Sequence, residues 1–144
     1  MSKAASWVLP VFMAAAMGTI LASPRQEPTQ TAADRQAISY DKWLAAKESA
    51  EKYDREGKYV EALQHYLEYT RQAEGLGRPG LMAWGKNNSA YMIIKMHTQD
   101  PTVDLAPAKK MLDEAMATGE ASENCKRLLA LNMEYVKLFL RLPE

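Results

Sequence analysis

Metal coordination is the first chemistry to consider, and it rests on two histidines, His65 and His97. A protein zinc site needs about four histidine, cysteine or carboxylate ligands at close spacing. Neither histidine lies in such a cluster of acidic residues, and the chain has a single cysteine. We therefore expect no metal site. A histidine near the end of a helix, as predicted for His97, is electrostatically favourable without further function.

Nucleophilic chemistry would depend on Cys125, the one cysteine. Lys126 and Arg127 follow it in the predicted first turn of a helix, an environment that can lower a thiol pKa. No feature of the chain places a histidine beside it. Because unpaired cysteines usually pack as small apolar residues, a quiet, half-buried thiol is the stronger interpretation. A single cysteine also excludes an intramolecular disulfide.

Other catalytic motifs give no alternative. We predict no serine hydrolase elbow, P-loop, dinucleotide-binding glycine fingerprint or HExxH zinc motif. Most acidic residues lie opposite the apolar stripes of predicted helices, as solvated charges do. We expect neither an enzyme nor a cofactor. The balance of 18 basic and 18 acidic residues also argues against nucleic-acid binding, which needs a basic surface.

The N-terminus has the pattern of an export signal. Lys3 precedes an uncharged apolar run of 16 residues, at positions 7–22, which ends in the small residue Ala22. The run is shorter than the roughly 20 residues that span a bilayer. Cleavage after Ala22 is favoured, giving a periplasmic or secreted protein; the alternative is an uncleaved membrane anchor. Residues 23–38 are polar, contain two prolines and are predicted to be a flexible linker.

The remaining chain, 39–144, is predicted to be one all-α domain. Ala, Leu and Met are common, whereas Val and Ile are scarce, and this composition favours helix. Residues 40–73 form two amphipathic helical runs broken once, at residues 55–58, where Gly57 ends the first run. Ser39 is the predicted N-cap of the first run. Two helices joined by so short a turn must be antiparallel neighbours.

This hairpin resembles the tetratricopeptide repeat (TPR). The resemblance rests on the pattern Y-x3-G-x-Y-x-x-A-x3-Y, formed by Tyr53, Gly57, Tyr59, Ala62 and Tyr66. In that family small residues stand where the two helices approach, and aromatic residues fill the space beside them. The chain departs from the family pattern where Ser49, Tyr69 and Glu74 replace the usual residues.

A second unit follows. Trp84, Ala90 and Tyr91 match first-helix positions of the same family. Tyr91 follows Tyr53 by 38 residues, four more than the 34-residue repeat, and we expect the loop GLGRPG at 75–80 to absorb the difference. The resemblance implies a right-handed α-solenoid of about two helical hairpins plus a C-terminal capping helix.

The second unit lacks the short glycine turn of the first. Residues 99–104 form a longer connection, which is either a place for specificity or simple drift in length. Asp104 is predicted to cap the next helix, with Pro107 in its first turn and Gly119 at its end.

The last helix is predicted from Ser122 to about Leu142. Its apolar residues cover more than one face, so either the bundle closes on it or part of it docks a partner. These residues are Leu128, Leu129, Leu131, Met133, Tyr135, Val136, Leu138, Phe139 and Leu140.

The resemblance also implies a binding surface, since first helices line the concave groove of TPR proteins. Lys86 beside Asn87 is similar to the Lys/Asn pairs that some such grooves use to hold a terminal carboxylate. Carried over by position, the groove residues are Leu44, Lys47, Glu51 and Asp54 in the first unit and Met82, Lys86, Ser89 and Met92 in the second.

The sequence thus predicts an exported protein- or peptide-binding module that acts as adaptor or scaffold in an envelope-associated complex. The alternative is a structural subunit that forms homo-oligomers through its apolar last helix. Membrane contact is expected only if the N-terminal segment remains uncleaved.

Overall fold

The computed structural model describes residues 32–33 and 37–140. The predicted signal segment, 1–22, and most of the predicted linker, 23–38, lie outside these residues. Within 37–140 the chain forms five α-helices and no strand. They are α1 (Tyr40–Arg55), α2 (Tyr59–Gly75), α3 (Pro79–Gln99), α4 (Ala106–Ala117) and α5 (Glu123–Leu140).

The prediction of an all-α fold is confirmed for the described residues. α2 packs against both α1 and α3, while α3 also packs against α4 and α5, and α4 packs against α5. α3 is therefore the central helix, and its buried residues cover more than half of its circumference. The right-handed solenoid remains a prediction.

Two glycines end helices by the same hydrogen-bonded turn. Gly57 (φ 72°) and Gly77 (φ 63°) both adopt the left-handed conformation that a side chain disfavours. After α1, the Lys58 N–H donates to the Tyr53 carbonyl at 2.9 Å, and after α2 the turn repeats this bond. These are the bonds of the Schellman motif. The turn predicted at Gly57 is thus confirmed, and Gly77 makes a second copy of it.

The prediction of a six-residue loop at 75–80 is wrong. Gly75 is the last residue of α2 and Pro79 is the first of α3, so only residues 76–78 lie outside helices. Proline is tolerated in a first helical turn because the N–H that it lacks would have no helical acceptor there. The four additional residues of the second unit therefore lengthen helices rather than a loop.

Small residues allow the helices to approach closely. Ala50 and Ala62 are fully buried and pack with Tyr66 and Met92 where α1, α2 and α3 meet. This confirms the expected role of small residues in the hairpin. It also accounts for one departure from the family pattern, because the bulky ring of Tyr69 lies against Gly85 of α3, which has no side chain.

The largest apolar cluster joins α3, α4 and α5. Leu112 of α4 and Leu129 of α5 are almost fully buried in it. The starts of α4 and α5 lie near this cluster. Asp104, predicted to cap α4, accepts a hydrogen bond from the Ala106 N–H at 2.9 Å, but the N-cap is Leu105, so the predicted cap is wrong by one residue. The Ser122 hydroxyl accepts from the Cys125 N–H at 3.3 Å, so the predicted cap of α5 is confirmed.

The start of α1 is tied to the end of α2. Ser39 caps α1 by accepting a hydrogen bond from the Lys42 N–H at 3.2 Å, as predicted. The buried side chain of Gln72 accepts from the Ser39 N–H at 2.9 Å and donates to the Ala37 carbonyl at 3.0 Å. None of the helices that the structure describes is both long and apolar enough to cross a membrane.

Candidate partner-binding groove

The first, third and fifth helices surround an open groove with a volume of about 440 Å³. Side chains at one-turn spacing on α3 and α5 form its walls, because residues three and four apart share a helix face. α1 contributes its C-terminal end, and Tyr66 of α2 lies at the base. The lining residues are Asp54, Tyr66, Asn87, Asn88, Tyr91, Met92, Leu128, Leu131 and Asn132.

Three asparagines form a hydrogen-bonded ladder across this groove. Asn132 of α5 donates to the Asn87 side-chain carbonyl at 3.0 Å, and Asn87 donates to the Asn88 carbonyl at 3.2 Å. Asn87 is 2% exposed, so the ladder satisfies amide groups that burial would otherwise leave unpaired. Asn87 and Asn88 thus hydrogen-bond within the helical bundle.

The two ends of the ladder retain hydrogen-bonding capacity. The Asn88 side-chain N–H₂ and the Asn132 side-chain carbonyl make no hydrogen bond to any described residue. Both residues line the groove. A donor and an acceptor there match the alternating carbonyl and N–H groups of a peptide backbone.

A lysine holds one rim of the groove together. The Lys95 ammonium lies 2.6 Å from the Asp54 carboxylate and joins α3 to the end of α1. It also lies 4.6 Å from the ring centre of Tyr91 and 5.2 Å from that of Tyr59, at cation–π distance. Asp54 is thereby paired within the protein, and the Tyr91 ring is held in place at the groove edge.

The tyrosine at the base remains neutral. Burial, and secondarily the carboxylates of Asp54 and Glu51, raise the pKa of Tyr66 to about 12. Its hydroxyl is therefore protonated at physiological pH and serves as a hydrogen-bonding group rather than a base. The side chains that line the groove, as far as the structure describes them, are thus suited to binding. They include asparagine amides, a tyrosine hydroxyl and leucine side chains.

The residues predicted for the first unit lie on α1, and one of them reaches the groove. Asp54 lines it, whereas Lys47 and Glu51 form an ion pair of 2.7 Å with each other. Leu44 is 37% exposed and is not among the groove-lining residues.

The groove residues predicted for the second unit do not lie on one face of α3. Met92 lies at the base of the groove, although it is 1% exposed. Met82 packs beside the cluster around Trp43. Lys86 and Ser89 instead line a separate pocket of about 310 Å³ between α2, α3 and α4. The structure therefore does not bring Lys86 and Ser89 together with Asp54 and Met92, because each residue along a helix turns the side-chain direction by about 100°. Their role in partner binding stays a prediction.

Lys86 is already paired with a carboxylate. Its ammonium lies 2.5 Å from the Glu114 carboxylate of α4, and this contact holds the pKa of Glu114 below its usual value. Lys110 lies 3.9 Å from the same carboxylate. A terminal carboxylate of a peptide would have to displace Glu114. The geometry thus argues against the carboxylate-holding role implied for Lys86.

Sequence reasoning missed the contribution of α5. Leu128, Leu131 and Asn132 form one wall of the groove, and Tyr91 forms its edge. The sequence feature that could have predicted this wall is the apolar arc of α5, which is wider than one buried helix face requires. Asn132, a polar residue within that arc, was the more specific signal.

Glycine spacing near α3 is similar to two nucleotide-binding patterns. Residues 75–80, GLGRPG, have the spacing GxGxxG, and residues 80–86 have that of an incomplete P-loop, with Asn87 in place of Ser or Thr. Both patterns require a strand and a glycine-rich loop before a helix. Here a helix precedes the turn and Gly80 to Lys86 are helical, so neither cradle forms.

Each histidine has an aromatic partner. The His65 ring stacks on Tyr53 at 5.3 Å. His97, which is buried, hydrogen-bonds through Nδ1 to the Tyr135 hydroxyl at 2.9 Å. In the part of the chain that the structure describes, no three His, Cys, Asp or Glu side chains are grouped to hold a metal ion.

Cys125 is fully buried, and burial raises the pKa of its thiol. The lowered pKa that its basic neighbours suggested is thus contradicted. We expect Cys125 of the native protein to react with a disulfide reagent at least about 100-fold more slowly than in the unfolded chain, because reaction requires local opening. Absorbance of the released thiolate at pH 7, with and without guanidinium chloride, measures both rates. Equal rates would contradict this placement.

Comparison with known proteins found no matching family model, no matching curated protein and no matching solved structure.

Proposed function

We propose that this protein is an exported TPR-like module that binds a protein or peptide in the groove between α1, α3 and α5. It acts as an adaptor or scaffold in an envelope-associated complex. The observation that carries the proposal is the groove itself, which places exposed leucines beside unpaired amide groups. The signal-like N-terminus supports export, and the repeated aromatic, Gly and Ala positions support the TPR resemblance.

The groove chemistry suits a peptide better than a small charged ligand. Leu128 and Leu131 are 41% and 67% exposed and offer apolar contact along one wall. The free amide groups of Asn88 and Asn132 can pair with backbone groups of a bound segment. Asp54, the charged residue that lines the groove, is neutralised by Lys95. Recognition then depends on apolar side chains and backbone hydrogen bonds rather than on net charge.

Tyr91→Ala is the variant that tests this groove. Tyr91 is 41% exposed at the rim, and truncating an aromatic side chain at an interface commonly costs more than about 1 kcal/mol. We expect capture of partners from the native extracytoplasmic fraction to fall about tenfold, since about 1.4 kcal/mol corresponds to tenfold in affinity. Quantitative mass spectrometry of the material retained on the immobilised protein measures this loss.

Leu67→Ala is the matched control. Leu67 is 44% exposed but lines the other pocket, between α2, α3 and α4. It should retain the same partners as the unsubstituted protein. Equal losses from Tyr91→Ala and Leu67→Ala would contradict the groove assignment. If no partner is retained by the unsubstituted protein, the binding function itself is contradicted.

A further inference from the structure

Side chains from three helices surround one ammonium group at the rim of the groove. The Lys95 nitrogen lies 2.6 Å from the Asp54 carboxylate of α1. It also lies 5.2 Å from the ring centre of Tyr59 of α2 and 4.6 Å from that of Tyr91 of α3. Each of the other lysines that the structure places near a ring contacts a single tyrosine. A carboxylate and two aromatic rings around one point form a site for a cation, and we call Asp54, Tyr59 and Tyr91 the cation site.

The cation site opens onto the groove. Asp54 and Tyr91 both line the groove, and Tyr91 is 41% exposed. Lys95 reaches the site from one helical turn further along α3, and its side chain is 24% exposed. A ligand in the groove therefore has access to the site, and the Lys95 ammonium can move into solvent while its stem stays on α3.

We propose that the cation site takes an arginine side chain of the segment that binds in the groove, and that Lys95 fills the site in the free protein. This inference rests on the function proposed above for the groove. The exchange replaces one cation by another, so the Asp54 carboxylate stays neutralised in both states. The partner is then a segment that carries an arginine beside apolar residues.

The chemistry of the exchange favours arginine over lysine. A planar guanidinium can donate two parallel hydrogen bonds to the Asp54 carboxylate and stack on the Tyr91 ring. An ammonium is a more strongly hydrated point charge, so Lys95 regains more hydration on leaving than a guanidinium loses on entering. A lysine side chain of the partner would only repeat the contacts that Lys95 already makes.

Titration with N-acetyl-arginine amide tests the site without the partner. The ring signals of Tyr59 and Tyr91, followed by NMR in the full chain with labelled tyrosines, should shift and saturate. Lys95→Met, which removes the ammonium, should lower the dissociation constant at least about tenfold, because in the unsubstituted protein the site is open only while Lys95 is displaced. The unsubstituted protein should show shifts in the same direction at correspondingly higher probe concentration.

Two further probes and one variant provide the controls. N-acetyl-citrulline amide has nearly the same shape without the charge and should not shift the rings, and N-acetyl-lysine amide should bind at least about threefold more weakly than the arginine probe. Lys109→Met removes an ammonium that lies 2.6 Å from Asp113, and no described ring lies near that pair. This variant should titrate like the unsubstituted protein. Circular dichroism checks that both variants remain folded.

Four results would overturn the inference. They are equal binding of the citrulline and arginine probes, equal binding of the lysine and arginine probes, a gain from Lys109→Met as large as that from Lys95→Met, and binding that occurs only in Lys95→Met. The last result would make Lys95 a permanent part of the rim. Since the probe titration needs no partner, its failure is distinct from a failure of partner capture by the groove.

Discussion

Leu129→Ala is expected to lower the free energy of unfolding by about 3 kcal/mol, the size found when a buried leucine is truncated and leaves a cavity. Leu129 is 1% exposed and contacts the cluster shared by α3, α4 and α5. Neighbouring side chains there come from three rigid helices, which can collapse only partly into the space. Urea unfolding monitored by circular dichroism measures the change.

Leu131→Ala provides the control from the same helix. Leu131 is two residues further along and 67% exposed, so it should change the free energy of unfolding by less than about 0.5 kcal/mol. The two leucines thus distinguish the closed face of α5 from its open face. Similar losses for both variants would show that the bundle closes around the whole apolar arc.

Gly85→Ala is expected to destabilise the protein by about 2 kcal/mol, although alanine is ordinarily about 1 kcal/mol better than glycine within a helix. A Cβ at position 85 would overlap Thr70 Oγ1 and lie 2.6 Å from the Tyr69 ring. Neither neighbour can move freely. Thr70 donates to the Tyr66 carbonyl at 2.8 Å, and the Tyr69 ring packs 5.2 Å from Trp43.

Gly75→Ala is the corresponding control. The three atoms nearest to a Cβ there, at 2.6–2.9 Å, all belong to the side chain of Ile38, which is 39% exposed and lies before the first helix, where it can shift toward solvent. We expect a change within about 0.5 kcal/mol in the same urea experiment. A Gly85→Ala protein as stable as this control would mean that α2 and α3 separate easily. Their contact would then not set the positions of Asn87, Asn88 and Tyr91 at the groove.

Local features of the chain could be predicted because they depend on neighbours in sequence. The Ser39 and Ser122 caps and the left-handed turn at Gly57 are each decided within a few residues. The loop at 75–80 was predicted wrongly for a related reason. Its three glycines and its proline were all assigned to a loop, whereas only Gly77 requires a positive φ.

The candidate groove was only partly predictable. Asp54 and Met92 lie at this groove, whereas Lys86 and Ser89 line the pocket on the opposite side of α3, and the binding role of all four stays a prediction. The groove residues were assigned by their position in the family pattern. A shift of one residue along a helix turns the side-chain direction by about 100°, so such an assignment can place a side chain on another face. The wall formed by α5 was missed because it comes from a helix more than thirty residues away in sequence.

By itself the sequence determined the all-α composition, the order of the five helices and most of their ends, since these depend on apolar period, caps and glycine conformation. The tertiary structure alone decided which faces meet. It divided the apolar arc of α5 into a buried row at Leu129 and an open row at Leu131, and it left Cys125 buried and its thiol pKa raised. Periodicity shows that a side chain is apolar, but only the packing of α3 and α4 against it determines whether water is excluded.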